Sequence, residues 1–343
     1  MNNHTVFVID KDDKPLTPTT PSRARKLIRD GVAKKTWNKF NQFGIKLIVE
    51  VGDKTPDTVL GIDVGTKFEG YSVIVDKENT LNVKLDLPNK KNLSKKLIER
   101  SYLRRTRRCR LRKREIRSNN RKRNYFLAPS QLQVINSRLK IINEIKSTYP
   151  VNLVALEDVT FNHYKKKWGS NFSTCEIGKN LLRKEISKFA KLYEYKGYET
   201  KQLRDKYGYI KTKNKSENVF TSHCSDSLSI AVDVILGKRI EPNKELIVVD
   251  DTYRCIRRML HKMNLSKGGV LKNRSTGNVD KLRKGLIVGT DKGEGMLVGK
   301  GHNRLTILSN ITNTRISIPK SKLTFVSTKF RTRKTGDLSS YNQ

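Results

Sequence analysis

Acidic residues are scarce in this sequence, and their scarcity limits the kinds of partner that it can have. Only 33 of its 343 residues are Asp or Glu, whereas 72 are Lys or Arg, so the formal net charge is +39. The basic residues are spread along the whole chain. A surplus of this size argues against a small anionic substrate and indicates nucleic acid, contacted by several faces of the protein.

Cysteines and long apolar runs are also few. The four cysteines are isolated, with no Cys-x-x-Cys pair among them: Cys109, Cys175, Cys224 and Cys255. This spacing predicts reduced thiols in a cytosolic protein, without a zinc site or a disulfide framework. No apolar run approaches the roughly 20 residues of a membrane span, and no signal peptide is recognisable. We therefore expect a cytoplasmic protein without a membrane partner.

What the chain does have is arginine, concentrated in Arg100–Arg123. Eleven of these 24 residues are arginine and two are lysine. No proline or glycine occurs between Ser101 and Ser118, and arginine favours helices, so we predict a long helix. Its arginines step round the whole circumference, which suits phosphates bound on several sides. The candidate nucleic-acid contacts are Arg104, Arg105, Arg107, Arg108, Arg110, Arg112, Arg114 and Arg117. The alternative is a solvated basic tail.

The first 90 residues predict a small α+β unit followed by a meander. In the unit, strands are expected at Thr5–Ile9, Val32–Trp37 and Phe43–Val51. Its helix takes Thr20 as N-cap and Pro21 in the first turn, and it ends at Gly31. An antiparallel meander is then expected from the strands Thr58–Val64, Gly70–Val75 and Thr80–Leu87.

The rest of the chain predicts mixed elements and then short strands. An amphipathic helix starts at Pro129, and Val151–Leu156 reads as a buried strand. Further on, we expect a helix at Leu181–Tyr195, a strand at Tyr198–Leu203 and a helix at Ser222–Leu236. After Glu245, β-like pieces with Gly- and Asn-rich turns predict a small β-barrel; they lie near 286–289, 296–299, 304–308, 313–318 and 322–327.

Carboxylates on two of these strands are candidates for chemistry. Alternation in the first meander strand places Asp63 on the same face as Gly61 and Gly65, and so on an open surface that a phosphate backbone can approach. Glu157 follows the buried strand, at the end where open α/β sheets carry their sites. Either acid, taken alone, could be structural.

A third acid, Asp226, lies three residues after His223, and this spacing places both side chains on one helical face. Three converging acids repel one another unless cations neutralise them. Two divalent ions would do so and would clamp the attacking and leaving oxygens of a phosphodiester. Oxygen ligands suit Mg²⁺, for which Mn²⁺ can substitute, and His223 could accept a proton from the attacking water. Alternatively, both residues mark a helix N-terminus with a dipole-favoured acid.

Several motifs together resemble a known family. They are Pro15-Leu16-Thr17-Pro18, Gly61-Ile-Asp-Val-Gly65, Arg104-Arg-Thr-Arg-Arg108, Leu156-Glu157-Asp158, His223-Cys-Ser-Asp226, and Arg257-Arg258 with the β-rich end. In this order they resemble the N-terminal Pro-Leu-Met-Pro signature, the first RuvC segment, the bridge helix, the second and third RuvC segments, and the domain that reads a target-adjacent motif. The chain is thereby similar to the IsrB family. Its members are the RuvC-only relatives of IscB, transposon-encoded RNA-guided nucleases.

The resemblance implies an α/β fold: an RNase H-like (RuvC) mixed sheet, split by the bridge helix, between an N-terminal α+β domain and a C-terminal β-barrel. The implied segments are 1–52, 53–88 (RuvC I), 89–128 (bridge helix), 129–180 (RuvC II), 181–240 (RuvC III) and 241–343. It also implies a catalytic set of Asp63, Glu157, His223 and Asp226 with two Mg²⁺ ions. In the pair Glu157-Asp158 it makes the first acid the ligand.

Partners follow from the same resemblance. They are a structured omega RNA, target double-stranded DNA with a flanking motif, and the RNA–DNA heteroduplex that the two form. The protein is expected to be monomeric within this ribonucleoprotein, in the bacterial cytoplasm and on the nucleoid when bound to DNA. Arg257 and Arg258 would contact DNA beside the target.

The number of cuts is a further expectation. IscB carries an HNH nuclease domain between its second and third RuvC segments, but here Glu157 and Asp226 are only 69 positions apart, and His163 is the only other histidine between Glu157 and His223. We therefore expect a nickase that cuts the non-target strand. Two alternatives remain: a sugar kinase, suggested by Asp63-Val-Gly-Thr66 alone, and a non-catalytic RNA-binding protein of a mobile element.

Overall fold

The computed structural model describes residues 6–52, 54–88, 90–108, 127, 129–158, 174–250, 278–279, 282–283, 285–301, 304–309, 312, 314–327 and 331–335. The chain divides into two compact units. The first comprises Met1–Leu87, Gln133–Asp250 and Thr332–Gln343, and the second comprises Pro88–Leu132 and Asp251–Arg331. No helix in the described part of the chain is long and apolar enough to cross a membrane.

The described helices are α1 (Pro21–Arg29), α2 (Lys90–Arg108), α3 (Pro129–Lys146), α4 (Thr174–Ile186), α5 (Gly197–Lys206), α6 (Phe220–His223) and α7 (Ser225–Ile235). The described strands are β1 (Val6–Ile9), β2 (Pro15–Thr19), β3 (Ala33–Trp37), β4 (Phe43–Leu47), β5 (Thr58–Asp63), β6 (Phe68–Val75), β7 (Glu78–Asp86), β8 (Leu153–Glu157), β9 (Lys191–Tyr195), β10 (Leu246–Asp250), β11 (Asn278–Val279), β12 (Leu282–Arg283), β13 (Ile287–Thr290), β14 (Gly293–Lys300), β15 (Arg304–Ser309), β16 (Arg315–Pro319), β17 (Leu323–Ser327) and β18 (Arg331–Thr335).

The N-terminal region forms a small mixed sheet with strand order β2-β1-β4-β3, in which β1 runs parallel to β4. Helix α1 packs on it, and its core contains Val8, Ala24 and Ile45. The predicted cap is confirmed, because the Thr20 hydroxyl accepts a hydrogen bond from the Arg23 amide. The sequence analysis missed the strand β2, which pairs antiparallel with β1.

The large sheet has the strand order β18-β10-β7-β6-β5-β8-β9. The meander of β5, β6 and β7 is confirmed, with antiparallel pairing throughout. Strands β8 and β9 extend the β5 edge in parallel, and β10 pairs in parallel with β7. Helix α7 lies against β5, β6 and β8, and a core of buried side chains such as Val59, Leu228 and Ala231 joins them.

Two predictions between residues 181 and 203 are wrong. The predicted helix Leu181–Tyr195 ends at Ile186, and its second half is the strand β9, which pairs with β8. The predicted strand Tyr198–Leu203 lies in the helix α5. A capping contact fixes the start of this helix: the Lys196 amide donates to Glu199 Oε2 at 2.7 Å. Pairing with β8, a distant segment, overrides the local helical pattern.

In the second unit, α2 confirms the beginning of the predicted arginine helix and starts earlier, at Lys90. The remainder of that prediction lies outside the described residues. The C-terminal strands form an antiparallel sheet with the order β16-β15-β14-β13-β17.

The closed barrel that the sequence predicted is not found among the described residues, because the edge strands β16 and β17 do not pair. Only the 3₁₀ turn Lys320–Lys322 joins these two edges. A flat sheet of five strands about 4.8 Å apart would separate the edges by roughly 19 Å, whereas three 3₁₀ residues span about 6 Å. The sheet is therefore strongly curled but open.

Candidate active site

Two acids meet at one edge of the large sheet. Asp63 is the last residue of β5 and Glu157 the last residue of β8. These strands are parallel neighbours, and Ile62 is paired with Leu156 in the register. The next residue of each strand is an acid, so the two carboxylates lie side by side at the carboxyl ends of the strands.

Asp226 joins them from the first turn of α7. The helix can approach the sheet because Gly61 faces it: a Cβ on Gly61 would lie 1.9 Å from the Ser227 carbonyl oxygen. Gly70 leaves room in the same way for the end of α6, because a Cβ there would lie 2.0 Å from the His223 carbonyl oxygen. This corrects the sequence interpretation of Gly61 as part of an open surface. The missing side chain makes room for a helix, and the helix brings its acid over the strand ends.

One oxygen from each of Asp63, Glu157 and Asp226 lies within 4.8 Å of the others, a spacing that a metal ion can bridge. Burial, followed by the charges of the other two acids, raises the pKa of Asp63 to about 8. Burial, followed by the charge of Asp226, also raises the pKa of Glu157. Ionised carboxylates at this spacing are therefore unfavourable without a cation.

The donor set fits a divalent metal. Glu157 Oε2 is buried and has no hydrogen-bond partner in the described part of the protein. A buried carboxylate oxygen without a partner is costly, and a metal ion would supply one. All three candidate ligands are carboxylates, which suit Mg²⁺ or Mn²⁺ better than softer metals.

Asp158, the neighbour of Glu157, is differently placed. Its carboxylate pairs with Lys179 at 2.9 Å and with Arg183. Its amide donates to the Tyr195 carbonyl at 2.7 Å, which continues the β8–β9 pairing. The charge of Asp158 is thus neutralised by protein cations, and this favours Glu157 as the ligand of the pair.

A buried ion pair supports the turn that follows Asp63. From α3, Arg138 Nε contacts Glu69 Oε1 at 2.6 Å, and its Nη2 donates to the Gly65 carbonyl at 3.3 Å. The hydroxyl of Tyr71 donates to the same Glu69 carboxylate at 2.8 Å. Because the pair is almost wholly buried, the guanidinium holds the backbone two residues beyond Asp63.

Sequence reasoning missed the cations beside the acids. Arg204 Nη1 lies 2.7 Å from Asp226 Oδ1, and the Lys211 ammonium contacts Asp226 Oδ2. The ammonium of Lys215 donates to the Ser222 carbonyl, and its charge lowers the pKa of Asp63. Lys211 and Lys215 belong to a segment whose composition indicates only a basic loop. No local signal shows that this loop returns to the site.

His223 is buried, but neither of its ring nitrogens belongs to the cluster of ligand atoms found among the described residues. It ends α6, and Cys224 separates it from α7 with φ −116° and ψ 0°. The prediction of one continuous helix with His223 and Asp226 on one face is therefore wrong. The buried Cys224 thiol contacts the carbonyls of Tyr71 and Val83, and this packing accompanies the break.

The ring of His223 has a defined tautomer. Its Nε2 lies 3.0 Å from the Glu217 carbonyl, an acceptor, so Nε2 carries the hydrogen and Nδ1 is the basic atom. Burial, then the charges of Lys84 and Lys215, lowers the pKa of His223 to about 4. The imidazole is neutral at neutral pH, the state that a proton acceptor needs.

The predicted nucleic-acid contacts are only partly described. Arg104 and Arg105 are exposed on α2. Arg107 and Arg108 lie in the same helix, but their side chains are outside the described part. Six further candidates lie outside the described residues: Arg110, Arg112, Arg114, Arg117, Arg257 and Arg258.

The fold and the site together define a mixed α/β protein with a three-carboxylate cluster at the carboxyl ends of two parallel strands. Residues 6–174 match the model of a family described as the RRXRR protein. The matched segment includes Arg104–Arg108, whose sequence is RRTRR. Among curated proteins, no sequence matches the chain.

Nine chains of solved structures match this chain, and two of these structures show how far the similarity extends. One is T. thermophilus RuvC in complex with a Holliday junction substrate, with 13% identity, a TM-score of 0.25, and coverage of 51% of this chain and 90% of that chain. The other is the yeast mitochondrial Holliday junction resolvase Ydc2, with 14% identity, a TM-score of 0.24, and coverage of 52% and 78%.

Proposed function

We propose that the protein is a divalent-metal-dependent DNA endonuclease with an RNase H-type active site. The observation that carries the proposal is the cluster of Asp63, Glu157 and Asp226, whose oxygens lie within 4.8 Å of one another in a chain of net charge +39. The strand order supports it as well. In the order β7-β6-β5-β8-β9, the central strand is β5, the first strand of the meander. Its acid, Asp63, lies beside Glu157 of the parallel neighbour β8.

Each residue of the site has its own proposed role. Asp63, Glu157 and Asp226 would hold two Mg²⁺ ions, which would supply stabilisation of the negative charge that develops as a phosphodiester is hydrolysed. Gly61 sets the distance between α7 and β5, and Arg138 fixes the turn after Asp63. His223 is proposed as the proton acceptor, through Nδ1, because its Nε2 donates to the Glu217 carbonyl and leaves Nδ1 as the basic atom.

Target choice is proposed to come from RNA. The basic surplus and the exposed arginines of α2 suit a phosphate backbone, and the RRXRR family is associated with IscB- and IsrB-type proteins. In this proposal an omega RNA pairs with the target strand, and the protein contacts the shape of the heteroduplex. The C-terminal region, including Arg257 and Arg258, would read the motif beside the target.

A single cut per target is proposed because the described residues contain one carboxylate cluster suited to metal. The interval between Glu157 and Asp226 contains α4, β9, α5 and α6, elements that belong to the first unit. One site at one position on the duplex would cut the displaced, non-target strand and leave the paired strand intact.

The competing function is that of a non-catalytic RNA-binding protein. It accounts for the net charge but gives no role to three acids gathered at strand ends, with a buried Glu157 oxygen that lacks a partner in the described structure. A protein that only binds polyanions would gain from neutral or basic residues at these positions, because buried acids repel phosphate.

The test is cleavage by the purified RNA complex of a matched duplex that carries a different label on each strand, in Mg²⁺. We expect a product from the non-target strand only, lost on Asp63→Asn, which keeps the side-chain shape. The matched control is Asp76→Asn, at an exposed turn between β6 and β7. Cleavage by the Asp63→Asn protein at the wild-type rate would refute the proposed active site, and equal cutting of both strands would refute nicking.

A further inference from the structure

Asp226 is the most heavily paired member of the carboxylate cluster. Arg204 Nη1 lies 2.7 Å from one of its oxygens, and the Lys211 ammonium contacts the other. The carboxylate itself is only 6% exposed. Both oxygens of a candidate metal ligand are thus already in contact with protein cations, and metal binding has to change at least one of these contacts.

The two cations differ in how firmly they are held. Arg204 extends from the helix α5, has a side chain that is 16% exposed, and also lies 3.8 Å from Asp205. Lys211 lies in the segment between α5 and α6, and its side chain is 34% exposed. A lysine side chain has a flexible four-carbon stem and carries a compact, strongly hydrated charge, so it can leave Asp226 and return to water at lower cost.

Repulsion between positive charges favours the departure of Lys211 from Asp226 when a metal ion binds. Without metal, Lys211 lowers the repulsion among the three acids, and its charge is among the influences that lower the pKa of both Asp63 and Glu157. With two divalent ions present, the same ammonium would face like charges at contact distance. Mutual repulsion between cations in a partly buried site makes their simultaneous occupancy unfavourable.

On the basis of the proposed function, we propose that Lys211 is a resident counter-ion of the active site, displaced from Asp226 when a divalent metal ion binds, while Arg204 stays. Lys211 thereby holds the acids together in the metal-free protein and sets the metal concentration at which the site fills. It is a positioning residue, since it acts on the metal ligands and not on the substrate.

The test is calorimetric titration of the full-length, RNA-free protein with Mn²⁺. Lys211→Met removes the competing charge, and we expect it to bind Mn²⁺ about tenfold more tightly than wild type. In the absence of metal the variant should melt at a lower temperature, and its melting temperature should rise more on addition of Mn²⁺. Lys213→Met, at an exposed position of the same segment, is the matched control and should behave as wild type.

Two further variants keep the result interpretable. Lys211→Gln can still donate a hydrogen bond to Asp226 but lacks the charge, so it should also bind Mn²⁺ more tightly even if Lys211→Met folds poorly. Lys211→Arg retains the positive charge, so its affinity for Mn²⁺ should be no higher than that of wild type. Unchanged or weaker Mn²⁺ binding by Lys211→Gln overturns the counter-ion role. If wild type binds no more Mn²⁺ than Asp63→Asn does, the metal-dependent function itself fails.

Discussion

At the scale of single residues, burial decides which groups in the site carry charge. His223 illustrates this. It is 5% exposed, its Nε2 donates to the Glu217 carbonyl, and the ring of Phe68 lies edge-on with centroids 5.5 Å apart. Nearby, Lys84 is also buried and pairs with Asp86 at 3.1 Å. An imidazole in such surroundings gains a proton with difficulty.

The low pKa of His223 predicts a pH dependence of stability. In the unfolded chain its pKa is near 6.5, whereas in the folded protein it is about 4. Between these values the unfolded state binds the extra proton, so the contribution of His223 to stability is present above 6.5 and is lost as the pH falls toward 4. We therefore expect the melting temperature of wild type to fall more steeply than that of His223→Gln over this range. Parallel curves for the two proteins would contradict the predicted shift.

At the scale of elements, the contact between α7 and β5 builds the site. The helix contributes Asp226, and its backbone touches the strand where Gly61 has no side chain. The helix also carries Ser227, whose hydroxyl lies 2.8 Å from that of Ser72 on β6. A helix held this closely to two strands keeps its acid at a fixed distance from the strand ends.

Gly61→Ala should therefore damage the site through packing. The new Cβ would lie 1.9 Å from the Ser227 carbonyl oxygen and 2.9 Å from Ala231 Cβ, so the helix has to shift. Overpacking of this kind costs about 1–3 kcal/mol. We expect a lower melting temperature and a smaller rise on addition of Mn²⁺, because Asp226 moves with the helix. Gly52→Ala, where a Cβ meets nothing within 4 Å, is the control. Equal melting of both variants would argue against close contact.

At the scale of the whole molecule, the large sheet is completed by segments far apart in the chain. Strand β10 follows the expected domain boundary at residue 240, yet it pairs with β7. Its side chains Leu246, Val248 and Val249 are almost fully buried. Strand β18 then pairs with β10 at the edge of the same sheet.

A chain that ends after Gly237 should for this reason be much less stable than one that ends after Asp250. The shorter chain lacks β10 and exposes the apolar surface beneath it, and each buried aliphatic side chain contributes about 1.5–3 kcal/mol. Thermal unfolding of the two truncated proteins measures the difference. If they melt at the same temperature, β10 contributes nothing to the stability of the sheet.

The sequence by itself determined the elements whose signals are local. Alternating apolar residues gave the meander, Thr20 with Pro21 gave the first helix, and an acid directly after an apolar strand marked Glu157. Asp63 and Glu157 could be chosen without the structure because each lies at the end of a strand that the pattern reveals, whereas Asp226 was chosen for its spacing from His223 in one predicted helix. Net charge, a sum over residues, is likewise fixed before folding.

Only the tertiary structure decided the features that depend on distant segments. Pairing with β8 made Lys191–Tyr195 a strand, although its local pattern favoured a helix. Packing of the buried Cys224 against two strands accompanies the break that separates His223 from Asp226. Lys211 reached the carboxylates because the chain folds back on itself after α5. Such contacts join residues far apart in the chain, and the energy that fixes them is absent from any local stretch of sequence.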